Sequence, residues 1–139
     1  LESPLLLDKT LKGLYEGNLK PIKQDSSKAT FTKKIKKEEK IIDWSMDAQK
    51  LHDKIRAMYQ INTNHTTFNN KIIKILKTQV VPYQSNNIGT IVKIEKDGIV
   101  VECKNNALKI ITLKPEGKGE MNATDWVRGA RVKVGDCFK

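Results

Sequence analysis

The fold of this chain is constrained most by a series of short segments rich in β-branched residues that begins at Thr66. Turn-forming residues separate the segments, as is typical of successive strands. The segments span residues 66–68, 71–81, 89–96, 98–104 and 107–113, and the separators are Asn69-Asn70, Pro82 with Asn86-Asn87, Asp97-Gly98 and Asn105-Asn106. Short strands at this spacing predict a small antiparallel barrel or sandwich. The Asp97-Gly98 step predicts a two-residue hairpin turn, because both residues can take positive φ.

Two helices are predicted beside these strands. Apolar residues at close to 3.6 spacing predict one helix over residues 46–59, with Asp43 and Ser45 as candidate N-cap residues. A short second helix is predicted over residues 123–129, because Asn122 can cap its start and Asp125 places an acidic residue at the third helical position. The tail over residues 131–138 is predicted to return as a closing strand.

The chain divides into three parts in its sequence pattern. Residues 5–15 show helical apolar spacing that ends at Gly17, and a single helix of this length cannot bury its apolar stripe alone. We therefore expect residues 1–27 to be the last helix and exit of a domain whose body lies outside this chain, although the helix could instead dock on the barrel. Residues 28–40 are expected to form a basic linker, and residues 41–139 the β domain.

Charge is distributed unevenly along the chain. The net charge is +10, yet residues 1–27 hold four lysines against four acidic residues, so the whole surplus begins at Lys28. Five lysines fall within the eight residues 33–40. This surplus favours a polyanionic partner, and lysine suits phosphate contact better than base reading. A solvated linker in a lysine-rich composition explains the same pattern without a partner.

No catalytic, cofactor-binding or metal-ligating set is predicted. His52 stands alone on the predicted helix, and the two cysteines, Cys103 and Cys137, have no metal-binding spacing. Gly117-Lys118-Gly119 lacks the spacing of a phosphate-binding loop. No apolar run is long enough to span a membrane, so we expect a soluble chain.

Several motifs resemble the C-terminal domain of methionyl-tRNA formyltransferase. The resemblance begins at the linker and continues in order through the strands to the tail. It rests on Glu38-Glu39-Lys40-Ile41-Ile42-Asp43-Trp44-Ser45, Lys54-Ile55-Arg56-Ala57, Lys71-Ile72-Ile73-Lys74-Ile75, Asp97-Gly98-Ile99-Val100-Val101, Leu113-Lys114-Pro115-Glu116-Gly117-Lys118 and Val134-Gly135-Asp136. Residues 59–65 depart from the family, which usually has a Pro- and Gly-containing turn there.

The resemblance implies a mainly β, OB-like small antiparallel barrel at the end of a two-domain enzyme. A Rossmann-like N-terminal domain would bind 10-formyltetrahydrofolate and carry the catalytic residues, so this chain alone is expected to be inactive. The whole enzyme would formylate initiator methionyl-tRNA as a monomer, in the bacterial cytoplasm or an organellar matrix, without membrane contact.

On this interpretation the chain holds the tRNA backbone without reading its sequence. The residues expected to contact RNA are Lys33, Lys34, Lys36, Lys37, Lys40, Arg56 and Lys74. Alternatively, the domain is a structural appendage of a sugar N-formyltransferase and binds no RNA. A free-standing single-strand binder is disfavoured, because such proteins stack bases on exposed aromatic residues and this chain has few aromatics.

Overall fold

The computed structural model describes residues 2–59 and 61–139. The chain divides into two compact units, Leu1–Lys34 and Ile35–Lys139. In the first unit, helix α1 spans Ser3–Tyr15 and ends as the sequence predicts, with Gly17 at a φ of +72°. The leucines of α1 are largely exposed within this unit. Beyond the helix, Asp25 caps a single 3-10 turn at Ser26–Lys28.

The second unit is built on an antiparallel sheet. Its strands run in the order β1-β2-β5-β4-β3, and the short β6 pairs with Thr112 and Leu113 of β5. Helix α2 spans Ala48–Met58 and packs on β2, and helix α3 spans Ala123–Ala130. The strands are β1 (His65–Phe68), β2 (Lys71–Val81), β3 (Ile91–Glu95), β4 (Gly98–Glu102), β5 (Ala107–Pro115) and β6 (Met121–Asn122). The predicted mainly β domain with one helix before it and a short helix near its end is confirmed.

Two local predictions are corrected by the structure. Helix α2 is capped by Asp47, whose carboxylate accepts from the N–H of Gln49 at 2.9 Å, whereas Asp43 caps a separate turn through Ser45. Neither Lys96 nor Asp97, both in the described part of the chain, has a positive φ. Gly98 is required for another reason.

A side chain on Gly98 would place its Cβ 2.5 Å from the main-chain oxygen of Ile110 on the neighbouring strand. The glycine therefore permits close packing of β4 on β5 and does not serve a left-handed turn. The left-handed two-residue turn lies instead between β1 and β2, where Asn69 and Asn70 have φ values of 49° and 60°.

The C-terminal tail joins the two edges of the sheet. Strand pairing leaves the sheet open, because β1 and β3 lie at opposite ends of the strand order. Main-chain hydrogen bonds run from Phe138 N–H to Gly89 O at 2.9 Å and between Lys139 and Thr67 in both directions at 2.8 and 2.9 Å. The tail changes partner within two residues, so no regular ladder forms and the predicted closing strand over 131–138 is reduced to one isolated bridge, Thr90 with Cys137.

Four aromatic side chains form the part of the core that the tail closes. Phe138 stacks on Trp44 with ring centroids 5.5 Å apart and on Trp126 at 5.9 Å. Phe68 meets both Phe138 and Trp126 edge to face. All four rings are buried, so the two tryptophans serve the core of the domain.

A buried carboxylate organises the loop before β3. Glu102 is 1% exposed and accepts hydrogen bonds from the main-chain N–H groups of Ser85, Asn86 and Asn87 and from the Ser85 hydroxyl. Burial acts to raise the pKa of Glu102, but the hydrogen bonds from Ser85 and Asn87 together hold it below its usual value. The charged form is therefore the one the fold stabilises.

Replacing Phe138 with Ala should destabilise the second unit strongly. The change removes the ring that three other aromatics share, and large-to-small core substitutions of this kind cost about 3–5 kcal/mol. Urea denaturation followed by tryptophan fluorescence measures the loss. Val134→Ala, at a tail position that is 60% exposed, is the matched control and should change the free energy of unfolding little. Equal effects of the two substitutions would contradict this account of the tail.

Replacing Glu102 with Gln should destabilise the fold at neutral pH by about 1.5–3 kcal/mol, because N–H groups then face a partner that is no longer charged. The folded pKa is lower than the unfolded one, so the stabilisation is complete above the unfolded value and disappears as the pH falls through the folded value. Urea denaturation from about pH 8 down to about pH 3 should show the two proteins converging only below about pH 4.5. A constant difference down to the lowest pH would contradict this role, and the exposed Glu120→Gln serves as control.

Candidate nucleic-acid interface

The end of the basic linker is folded and lies against the sheet. Glu38–Lys40 form a single 3-10 turn, and the N–H of Lys36 donates to the Glu39 carboxylate at 2.7 Å. Lys36 and Lys37 are exposed, and Lys40 is half-buried. The second half of the lysine run is thus held in a defined conformation within the second unit.

A buried asparagine fixes this turn to β1. Asn64 is fully buried, and its Nδ2 donates to the main-chain oxygens of Lys40 at 3.2 Å and Glu39 at 3.5 Å. The next residues are held as well, since Ile42 N–H donates to His65 O at 2.8 Å and Lys54 Nζ donates to Ile41 O at 3.3 Å. Sequence reasoning missed Asn64, whose one signal was its position directly before the first strand.

A row of side chains crosses the sheet beside this anchor. Ile41 bridges to His65 of β1, His65 pairs with Lys74 of β2, and Lys74 pairs with Lys114 of β5. Directly paired residues project from the same face of a sheet. We call these residues, Ile41, His65, Lys74 and Lys114, the basic row. The structure places the predicted Lys74 in it and adds Lys114, which the sequence alone did not single out.

Like charges face each other in the basic row without compensation. Lys74 and Lys114 are both exposed, and among the described residues neither forms an ion pair. Like charges directly opposite on neighbouring strands destabilise a sheet. A bound polyanion would relieve that repulsion, so this face is suited electrostatically to phosphate groups.

The exposed Lys93 and the mostly buried Lys109, by contrast, are neutralised within the protein. Lys109 is mostly buried and forms ion pairs with Glu95 at 2.8 Å and Asp97 at 2.5 Å, and Lys93 also pairs with Glu95. Lys109 lowers the pKa of Glu95 to about 2, with a further contribution from Lys93. Lys93 lies on β3 and Lys109 on β5, and their ion pairs leave neither ammonium group free to bind a partner. Lys74 and Lys114 of the basic row therefore differ from Lys93 and Lys109 in having no ion-pair partner among the described residues.

The structure separates Arg56 from the basic row. Its guanidinium lies 3.3 Å from the Asp53 carboxylate, and it lines a cleft of about 410 Å³ between α2 and β2 together with His52 and Leu76. His52 is hydrogen-bonded there to Thr78 at 2.9 Å. Lys74 lines a different depression, of about 260 Å³, beside Lys114.

The remaining predicted residues, Lys33 and Lys34, are exposed and belong to the first unit. In the divergent loop over residues 59–65, Gln60 lies outside the described residues. Thr63 closes part of the loop by donating to Tyr59 O at 3.0 Å, and Ile61 is exposed.

The cysteines and acidic residues form no site of the kind that binds metals. Within residues 2–59 and 61–139, no group of three or more His, Cys, Asp or Glu side chains is placed to hold a metal ion. Cys103 is buried, and burial raises the pKa of its thiol to about 12. In the same part of the chain, no helix is long and apolar enough to cross a bilayer.

The fold and the sequence together place the chain in a known family. Residues 34–131 match the family described as "Formyl transferase, C-terminal domain", and the chain belongs to it. Most of the second unit lies within this match, including the whole basic row and its anchor. The resemblance inferred from the sequence motifs is confirmed.

The curated relatives are methionyl-tRNA formyltransferases. The chain is 38% identical to the enzyme of Bacillus velezensis over 135 residues, which is 96% of this chain and 43% of the relative. It is 40% identical to the enzyme of Geobacillus thermodenitrificans over 134 residues, covering 94% of this chain and 42% of the relative. The chain thus spans less than half the length of these relatives.

Solved structures with the same fold include HypX from Aquifex aeolicus. One variant of that protein gives a TM-score of 0.63 at 14% identity, covering 94% of this chain and 23% of HypX. HypX in complex with tetrahydrofolic acid gives a TM-score of 0.62, also at 14% identity. At this identity the similarity supports the fold alone.

Replacing Asn64 with Ala should release residues 36–40, which we call the lysine turn, from the sheet. Loss of its hydrogen bonds removes about 1 kcal/mol of local stability, which corresponds to about fivefold more frequent opening. Limited trypsin digestion with mass spectrometry should show correspondingly faster cleavage after Lys36, Lys37 and Lys40. Cleavage after Lys23, in the other unit, is the control, and cleavage after the buried Lys109 reports global unfolding. Unchanged cleavage at the lysine turn would contradict the anchoring role of Asn64.

Proposed function

We propose that this domain holds the backbone of initiator methionyl-tRNA for a methionyl-tRNA formyltransferase. The observation that supports this most directly is the unpaired Lys74 and Lys114 on one exposed face, next to the anchored lysine turn. The names of the curated relatives supply the nature of the polyanion.

The whole protein would transfer a formyl group from 10-formyltetrahydrofolate to the amino group of methionine on the initiator tRNA. Folate binding and catalysis would belong to an N-terminal domain, of which residues 1–27 form the last helix and exit, with residues 28–40 as the basic linker. This chain alone would be inactive. The protein would act as a monomer where translation begins, in the bacterial cytoplasm or an organellar matrix.

Binding would be electrostatic and independent of sequence. Each lysine that approaches a phosphate releases condensed counterions, so affinity falls as the salt concentration rises. Lysine acts as a mobile point charge and does not form the planar bidentate contacts by which Arg, Asn or Gln read bases. We therefore assign recognition of the tRNA identity to the rest of the enzyme.

The lysines would make two kinds of contact. Lys36, Lys37 and Lys40 are presented from a fixed turn, and Lys74 with Lys114 from a rigid sheet, so these would approach phosphates at defined places. Lys33 and Lys34 would extend the same contact along the linker. Arg56 would contribute less than the sequence suggests, because Asp53 already pairs with it.

The salt dependence of tRNA affinity tests this proposal. Binding of initiator tRNA is measured by fluorescence anisotropy from about 50 to about 200 mM salt, and each phosphate contact should add about 0.7–0.9 to the slope of log K against log salt. The double variant Lys74→Ala/Lys114→Ala should lower the slope by about 1.5, and replacement of Lys33, Lys34, Lys36, Lys37 and Lys40 by Ala should lower it further. An elongator tRNA should bind similarly, since backbone contacts carry no sequence information.

Lys96→Ala and Lys104→Ala are the matched controls, because both side chains are exposed and lie outside the basic row. A flat salt dependence, or equal losses in the control variants, would refute tRNA binding by this face. Formylation of an amino sugar by the whole protein, without competition by tRNA, would instead assign the domain to a sugar N-formyltransferase.

A further inference from the structure

A cavity of about 450 Å³, open to solvent, lies at one end of the sheet. It lies between the β1–β2 turn, the loop from β5 to β6, and helix α3. Its walls therefore come from three separate parts of the second unit. The volume is in the range of pockets that hold small organic ligands.

The cavity combines an apolar wall with a charged rim. Ile73, Met121 and Trp126 contribute the apolar wall; Met121 is half-buried, and Ile73 and Trp126 are only 2% and 5% exposed, so the wall offers contact to the edge of an aromatic ring. Lys71 and Lys118 contribute two ammonium groups at the rim, and both side chains are exposed. A ligand that matches this lining carries an aromatic ring and an anionic group.

Two carboxylates complete the rim. Glu116 and Asp125 line the cavity and are exposed. Glu116 uses Oε2 to accept from the N–H of Ile72 at 3.3 Å, and Asp125 lies 3.7 Å from Arg128, so both are oriented by neighbours. Carboxylate oxygens accept hydrogen bonds from amino groups. The lining therefore matches a ring that also bears an exocyclic amine.

The cavity adjoins the basic row. Pro115 and Glu116 line both this cavity and the smaller depression that contains Lys74 and Lys114. A strand whose phosphates follow the row would pass the loop at Pro115 and reach the cavity mouth at Lys118. Ile73 and Lys74 are consecutive residues of β2 and project to opposite faces, so the cavity and the basic row meet around the end of the sheet at this loop.

We propose that this cavity binds a single unpaired nucleotide of RNA. The base lies against Ile73, Met121 and Trp126, and the phosphate lies between Lys71 and Lys118. Glu116 and Asp125 accept from the exocyclic amine, so adenine, cytosine and guanine bind better than uracil. The inference deepens the proposed function and rests on it for the RNA that delivers the nucleotide.

Titration of the chain with AMP, CMP, GMP and UMP, followed by ¹H–¹⁵N NMR, tests the cavity without tRNA. We expect saturable shifts at the Trp126 indole and at the amides of Lys71, Met121 and Ala130, with UMP binding at least about threefold more weakly than CMP because it lacks the amine. Inorganic phosphate is titrated in parallel. It should bind more weakly than any amine-bearing nucleotide, because it lacks the ring.

Two variants locate the binding. Gly129 lines the cavity, and a Cβ at this position meets no heavy atom within 4 Å, so Gly129→Leu adds bulk without a clash in a helix. It should weaken nucleotide binding at least about tenfold, and Lys71→Ala/Lys118→Ala at least about threefold, since a phosphate contact is lost. Lys96→Ala is the control and should bind as the unmodified chain does.

Absence of saturable shifts would overturn the proposal. Equal binding of phosphate and nucleotides, or undiminished binding by Gly129→Leu, would overturn it as well. The outcome is separable from that of the proposed function. If Lys74→Ala/Lys114→Ala loses tRNA binding but the chain binds no mononucleotide, the role of the basic row stands and the cavity proposal is wrong. If the chain binds mononucleotides but its tRNA binding does not depend on salt, the cavity proposal stands and the role of the basic row is wrong.

Discussion

The second unit depends on the packing of Phe138 between Trp44 and Trp126. An antiparallel sheet with this strand order has two free edges, and exposed edges with an uncovered apolar interior are unstable in water. The tail crosses from Gly89 beside β3 to Thr67 of β1, so Phe138 covers the interior while its neighbours pair with both edges. One short segment thus supplies both the edge hydrogen bonds and the aromatic closure.

The same closure positions the lysines. The indole of Trp44 donates to Thr66 Oγ1 at 3.2 Å, and the Thr66 hydroxyl donates to the main-chain oxygen of Lys139 at 2.8 Å. The free edge of strand β1 is therefore held by the linker at His65 and by the tail at Thr67, while β2 pairs with its other edge. Asn64 and His65 at the start of β1 then fix the lysine turn and begin the basic row. Strand β1 therefore contributes both to the packing of the core and to the position of the lysines.

Charge in this domain is divided between two roles. Lys109 of β5 and Glu95 of β3 neutralise each other, so their ion pair serves the protein's own fold. Lys74 and Lys114 face each other on β2 and β5 without a carboxylate partner in the described part of the chain. Their repulsion opposes folding slightly, and a partner that carries negative charge would relieve it.

The sequence alone determined the elements of this domain. Segments rich in β-branched residues, separated by turn residues, predicted the five main strands, and the predicted bounds of β2 are the observed ones. The 3.6 spacing predicted α2 to within two residues at its start. These signals are local, because propensity and burial pattern act over a few neighbouring residues. The family resemblance also followed from the sequence, since it rests on short motifs in a fixed order.

Only the tertiary structure decided how distant residues meet. The strand register placed Lys114 opposite Lys74, the path of the tail replaced the expected closing strand, and Gly98 proved necessary for close packing and not for its turn. Asn64 anchors the lysine turn through main-chain oxygens more than twenty residues away in sequence. Arg56 pairs with Asp53, so it is less available to a partner than the sequence suggested. Such contacts depend on register and on the closure of long loops, which no local pattern in the chain encodes.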